Sequence, residues 1–121
     1  MTKGSAVVLV SSVGGFQPEF PLGIYGMSKT ALIGLGRALA GELGAQGIRI
    51  NTICPGVVRT RMSRMLWEGE GGGGETASRV FLNRHGDPVE MAGLAAFLLS
   101  EEASFITGES FVASGGTNSR L

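Results

Sequence analysis

At 121 residues the chain has room for one domain at most, since soluble domains run to roughly 100–200 residues. Ten Lys+Arg cancel ten Asp+Glu and only 17% of residues are charged, so no block of like charge exists to grip a phosphate backbone, which argues against nucleic-acid binding by electrostatics. A 43% hydrophobic share suits a globular core, yet no apolar run approaches the roughly 20 residues of a membrane helix, Cys54 has no second cysteine to pair with, and no multiple-His cluster offers a metal site.

Ala6-Val7-Val8-Leu9-Val10 is a β-branched and leucine run too short for a helix, closed by Ser11-Ser12 and Gly14-Gly15, and it predicts a strand buried on both faces. A loop with Pro18 and Pro21 leads into residues 24–46, free of proline, where Leu32, Leu35, Leu39 and Leu43 recur at helical spacing. Small residues Ala31, Ala38, Ala40 and Ala45 surround that stripe, and Lys29, Arg37 and Glu42 are the only charges, so this helix is expected to be buried on two sides. Gly34, Gly36, Gly41 and Gly44 each weaken a helix by up to about 1 kcal/mol and therefore point to close helix contact.

Residues 48–53 alternate and are β-branched, which predicts a second strand ended by Cys54-Pro55-Gly56. A short helix or loop with Met62, Met65, Leu66 and Trp67 precedes a glycine-rich linker at 69–75. Pro88 opens a helix with Met91, Leu94, Ala95, Leu98 and Leu99 on one face, and residues 108–113 read as a third strand before Gly115-Gly116. Strands and helices alternating over connections this long imply parallel crossovers in an open α/β sheet. Ligands in such sheets sit beyond the carboxyl ends of the strands, where Ser11-Ser12, Pro55-Gly56 and Ser114-Gly115-Gly116 would converge.

Tyr25 and Lys29 are four residues apart, so they share one face of the long helix. A neighbouring ammonium stabilises a phenolate, which makes a tyrosine usable as a proton donor or acceptor near neutral pH. Ser12, at the end of the preceding strand, offers a hydroxyl to the same oxygen. The trio suits interconversion of an alcohol and a carbonyl. A Tyr with a Lys one turn on is also a common surface pair, and what favours chemistry is the placement of Ser12 and Tyr25 at the ligand edge.

Val10-Ser11-Ser12, the Tyr25-Gly26-Met27-Ser28-Lys29-Thr30-Ala31 run, Arg49-Ile50-Asn51 with Cys54-Pro55-Gly56-Val57-Val58-Arg59-Thr60, and Ile106-Thr107-Gly108-Glu109 closely resemble the short-chain dehydrogenase/reductase family across nearly the whole chain. Ser63-Arg64-Met65-Leu66-Trp67 and the ending Ser119-Arg120-Leu121 look most like its peroxisomal carbonyl reductase/retinol dehydrogenase branch. The resemblance implies the carboxyl-terminal portion of a Rossmann-type doubly wound parallel sheet, with residues 1–121 forming one partial domain. It implies that Ser12 orients the substrate oxygen, Tyr25 is the acid/base, and Lys29 binds the nicotinamide ribose. Pro55, Gly56, Val58 and Thr60 would lie against the nicotinamide and its carboxamide. NADP is the implied cofactor, with NAD possible, and a small carbonyl or alcohol the substrate. A homo-oligomer through the long helix and a peroxisomal import receptor at Ser119, Arg120 and Leu121 are the implied partners.

The family's glycine-rich cofactor fingerprint and its fourth catalytic residue would fall before Met1, so these residues are expected to be a catalytic half. Gly69-Glu70-Gly71-Gly72-Gly73-Gly74 matches G-x-G-x-x-G literally, but no strand precedes it and Glu68, Glu70 and Glu75 would repel a pyrophosphate. His85 reads as a loop residue, Asn51 as a partner of backbone, and Cys54 as a small buried side chain. The alternative to an enzyme is a truncated, non-enzymatic chain that associates with complete relatives through the long helix.

Overall fold

The computed structural model describes residues 1–68 and 76–117. The linker at 69–75 and the terminal Ser119-Arg120-Leu121 lie outside the described residues. Three strands, β1 (Ala6–Val10), β2 (Arg49–Pro55) and β3 (Ser110–Ala113), form a parallel sheet in the order β1-β2-β3. The register aligns Val10 with Ile53 and Pro55 with Ala113, so all three carboxyl ends reach one edge. Between them run α1 (Gly23–Leu43), the short α2 (Arg64–Trp67) and α3 (Pro88–Leu99). The α/β class and the order of the elements agree with the sequence pattern. Helix α1 ends in a 3-10 turn, Gly44–Gln46, and Gly47 stops it at φ 73°, a left-handed position that suits glycine.

Alternation along β2 sends neighbouring residues to opposite faces. Thr52 meets Gly36 of α1, while the Arg49 guanidinium donates to the carbonyls of Leu98 (2.9 Å) and Ser100 (2.9 Å) at the end of α3. The two long helices therefore cover opposite faces of the central strand. Arg49 in effect caps α3 from the neighbouring strand, satisfying carbonyls that a helix terminus leaves unpaired. Asn51 makes the backbone pairing expected of it: its amide donates to Ile106 O (2.9 Å) and its Oδ1 accepts from Glu109 N–H (3.1 Å).

Two burial expectations fail. Strand β1 is half-buried rather than enclosed, and Val10 is 56% exposed, because β1 is an edge of the sheet and the central β2 holds the fully buried Ile50, Ile53 and Cys54. Helix α1 is buried on one side only: Gly26, Gly36 and Ala40 face inward, while Ile24, Met27 and Leu35 are exposed. The apolar side chains on its outer side have no partner among the described residues.

Candidate active site

The loop after β1 and the first turns of α1 are joined by close backbone contact. Ser12 caps a single 3-10 turn, Val13–Gly15, with its Oγ accepting from Gly14 N–H at 3.1 Å. The buried Ser11 hydroxyl donates to Lys29 O at 2.7 Å, and Thr30 Oγ1 reaches the carbonyls of Gly15 and Gly26. A Cβ at Gly15 would lie 2.9 Å from the Lys29 carbonyl carbon, and one at Gly26 would lie 2.6 Å from Pro18 Cβ. Glycine at both positions lets strand end and helix approach this closely.

That packing sets the three predicted catalytic groups. A Cβ placed on Gly14 would lie 3.5 Å from Ser12 Oγ and 3.8 Å from Tyr25 Cε1, so these two side chains flank one small volume. Lys29 Nζ stands 5.5 Å from the Tyr25 ring centroid, a cation–π distance, and donates to Val10 O at 3.2 Å. The Lys29 ammonium, with three protons, retains two for other acceptors. Tyr25 is 36% exposed, so its ring is open to a ligand.

The predicted cofactor segment follows β2 at the same edge. Gly56 N–H donates to Ala113 O at 3.0 Å, and a Cβ there would lie 2.9 Å from Ser114 Cα, which ties the ends of β2 and β3 together. Pro55, Gly56 and Val58 are half-buried, and Val58 forms a bridge with Gly86. Thr60 is engaged reciprocally with Ser63: Thr60 N–H donates to Ser63 Oγ (3.1 Å) while Ser63 N–H approaches Thr60 Oγ1 (3.4 Å), which closes the turn before α2. The Trp67 indole N–H lies between Thr60 O (3.1 Å) and Ser63 Oγ (3.2 Å).

A second ring of contacts braces this segment. Thr76 Oγ1 donates to Leu66 O (2.8 Å) and lies 2.8 Å from Nε2 of the buried loop residue His85. Arg59 pairs with Asp87 at 3.2 Å and Arg84 with Glu90 at 2.7 Å. The hydrogen bond from Arg84, aided by the Asp87 N–H, holds the Glu90 carboxyl down at about 2, and the same pairing raises Arg84. A shallow cavity of about 200 Å³ lies beside this ion pair, lined by Val57, Arg84, Glu90, Met91 and Ser114, and contains none of Ser12, Tyr25 or Lys29. Among the described residues no cluster of His, Cys, Asp or Glu suits a metal ion, and no helix is long and apolar enough to cross a membrane.

Sequence reasoning missed Ser11, Thr30, Ser63 and Trp67 as supports. Ser63 carried a readable signal, a hydroxyl three residues after Thr60 at the spacing of a local side chain–backbone turn. Trp67 reaches back four residues to Ser63, while Ser11 and Thr30 act across the fold on Lys29 O and Gly15 O, where spacing in sequence says nothing.

Comparison with known proteins agrees with this fold. A family model described as enoyl-(acyl carrier protein) reductase matches residues 1–118. Dehydrogenase/reductase SDR family member 4 of Oryctolagus cuniculus is 47% identical over 118 residues, covering 98% of this chain and 45% of that protein. The structure of 4-hydroxyisoleucine dehydrogenase complexed with NADH superposes with a TM-score of 0.90 at 34% identity, over 98% of this chain and 49% of that one. A blue fluorescent protein from a metagenomic library, in complex with NADPH, gives a TM-score of 0.90 at 32% identity, over 98% and 47%. The chain thus spans about half the length of the relatives it matches. With the family model covering nearly every residue and the parallel sheet superposing on enzymes of this type, the chain belongs to the short-chain dehydrogenase/reductase family.

Proposed function

We propose that these residues are the catalytic, carboxyl-terminal portion of a nicotinamide-dependent oxidoreductase that interconverts a carbonyl and an alcohol. What supports this reading is that Ser12 Oγ and Tyr25 Cε1 both lie close to Gly14 and that Lys29 Nζ stands 5.5 Å from the Tyr25 ring, beyond the carboxyl end of β1. The donor set fits a nicotinamide riboside: Lys29 has two protons to offer ribose hydroxyls, Pro55, Gly56 and Val58 give a largely apolar flank, and Thr60 brings a hydroxyl for the carboxamide. The bound nicotinamide supplies or accepts the hydride. Ser12 Oγ holds the substrate oxygen by hydrogen bond. Tyr25 gives that oxygen its phenolic proton in the reducing direction and takes the alcohol proton in the oxidising one. Lys29 places positive charge beside the phenol as its proton leaves.

In the complete protein carrying this segment, Tyr25→Phe is expected to lower turnover by about 10²–10⁴-fold with cofactor affinity nearly intact, and Lys29→Ala to impair both. Near-normal turnover by Tyr25→Phe removes Tyr25 from the mechanism. NADPH is the preferred cofactor in this reading, on the likeness of residues 63–67 to the peroxisomal carbonyl reductase branch, and competing titrations with NADPH and NADH decide it. The 121 residues alone are expected to show no micromolar NADPH binding by calorimetry. Tight binding in this fold rests on a pyrophosphate seated at a helix terminus by a glycine turn that follows a strand.

The same branch carries a peroxisomal address, and Ser119-Arg120-Leu121 keeps its charge pattern. A tagged protein with that terminus left open should collect in peroxisomes, and a diffuse cytosolic signal argues against import. The exposed Ile24 (82%), Met27 (62%) and Leu35 (46%) support self-association along α1. They equally favour the second reading, a non-enzymatic chain that joins complete relatives, and a full-length transcript that encodes a glycine-rich strand-turn-helix ahead of these residues would favour the first.

A further inference from the structure

We propose that His85 is a positioning residue for the substrate: through Thr76 it holds α2 and the exposed Met62 and Met65 where the apolar body of a carbonyl or alcohol would lie, an inference that rests on the oxidoreductase reading above. Helix α2 is one turn long, and no side chain caps its start. A single turn does not hold itself, because ordering its residues costs more than its first hydrogen bond returns, so outside contacts must place it. One is the Trp67 indole N–H at Thr60 O (3.1 Å), which ties the turn to the segment before it. The other starts at Leu66 O, a carbonyl that a helix end leaves without an internal partner, and runs to Thr76 Oγ1 (2.8 Å) and on to His85 Nε2 (2.8 Å). His85 is the fixed end of this tie. It is 8% exposed, and its neighbour Gly86 is paired with the predicted cofactor segment, giving N–H to Val57 O (3.0 Å) and accepting at O from Arg59 N–H (2.9 Å). The imidazole is therefore anchored to the cofactor segment, and α2 hangs from it. Met62 and Met65 follow Thr60, the proposed carboxamide contact, and are 83% and 91% exposed. Hydride transfer needs the substrate carbon close against the nicotinamide, so these two side chains offer flexible apolar surface on the way out from that position. Without the imidazole the turn is loose, and a bulky substrate must order it on binding, whereas a small one does not reach it.

The test uses the complete protein carrying this segment, whichever of NADPH and NADH it binds, and two ketones with the same reacting group, cyclohexanone and 4-phenylcyclohexanone. His85→Leu is expected to raise KM for the phenyl ketone by about three- to ten-fold, the worth of one hydrogen bond, while kcat, cofactor affinity and KM for cyclohexanone stay within about two-fold. His85→Gln, whose amide donates or accepts as needed, should restore the lower KM whichever of His85 Nε2 and Thr76 Oγ1 carries the shared proton. Thr76→Val breaks the same tie from its other end and carries the test should His85→Leu fail to fold. A rise for both ketones alike, a fall in kcat or cofactor affinity alongside it, or no recovery with Gln makes His85 a structural residue and overturns the proposal while the oxidoreductase reading stands. So does an unchanged KM, or an unaltered protein that turns over cyclohexanone and not its phenyl derivative. A complete protein that reduces no ketone or aldehyde at all overturns the oxidoreductase reading itself, together with the proposal.

Discussion

Helix α1 contains two populations of glycine. On its inner side a Cβ at Gly26 would meet Pro18 Cβ at 2.6 Å and Pro18 Cα at 2.7 Å, and one at Gly36 would overlap Thr52 Oγ1. On its outer side a Cβ at Gly34 or Gly41 would meet nothing within 4 Å. The inner glycines are explained by what touches them, since they bring the helix close enough to the sheet for Ser11 to reach Lys29 O and for Tyr25 to stand beside Ser12. The outer ones share a surface with Ile24, Met27 and Leu35, and nothing among the described residues requires them. One residue type in one helix thus marks a contact that is made and a surface that is left open.

Substitution by alanine separates the two populations. Gly26→Ala carries the largest expected effect, a loss of about 3 kcal/mol, because the clash is partly with backbone and only a shift of α1 relieves it. Gly36→Ala should cost less, about 1–2 kcal/mol, since the obstacle is the buried Thr52 side chain and a change of its rotamer relieves part of the overlap. Denaturant titrations read both, and a neutral Gly36→Ala would mean that helix and strand are farther apart than described. Gly34→Ala and Gly41→Ala are expected to act in the opposite direction, stabilising the monomer by about 0.5–1 kcal/mol each through helix propensity. Destabilisation there, or a fall in the oligomer fraction by sedimentation, would show that the outer side is covered in solution.

The smallest effect concerns a tie on the surface. Glu90 is lowered from 4.5 to about 2, first by the hydrogen bond from Arg84 and then by the Asp87 N–H. A carboxyl whose folded pKa is depressed adds stability that is present above its unfolded value and is lost as pH falls toward the folded one. The loop at 84–90 should therefore weaken between pH 4.5 and about 2. Arg84→Gln should flatten that acid limb in a pH series of thermal melts while leaving the inner and outer glycine substitutions with their opposite signs.

Much of this was legible beforehand. The run Ala6–Val10 is found as β1 without adjustment, and the spacing of leucines located α1. Tyr25 and Lys29 were placed on one face by their four-residue separation, and they stand together there. The turn residues that end β1 and β2 marked the edge where Ser12 and Pro55-Gly56 are found. The burial of α1 was misjudged because apolar composition records what a surface avoids, while the covering partner need not belong to the same chain.

Local order, the period of the apolar residues and the short-range pairs were therefore determined by the sequence alone, since each rests on neighbours within one or two turns. Only the tertiary structure decided that Ser11 grips Lys29 O and that Arg49 caps α3 from another strand. The physical reason is that a buried donor or acceptor must be satisfied by whatever packing brings within about 3 Å. That partner is chosen by the crossing of strands and helices, a distance in space for which separation along the chain carries no measure.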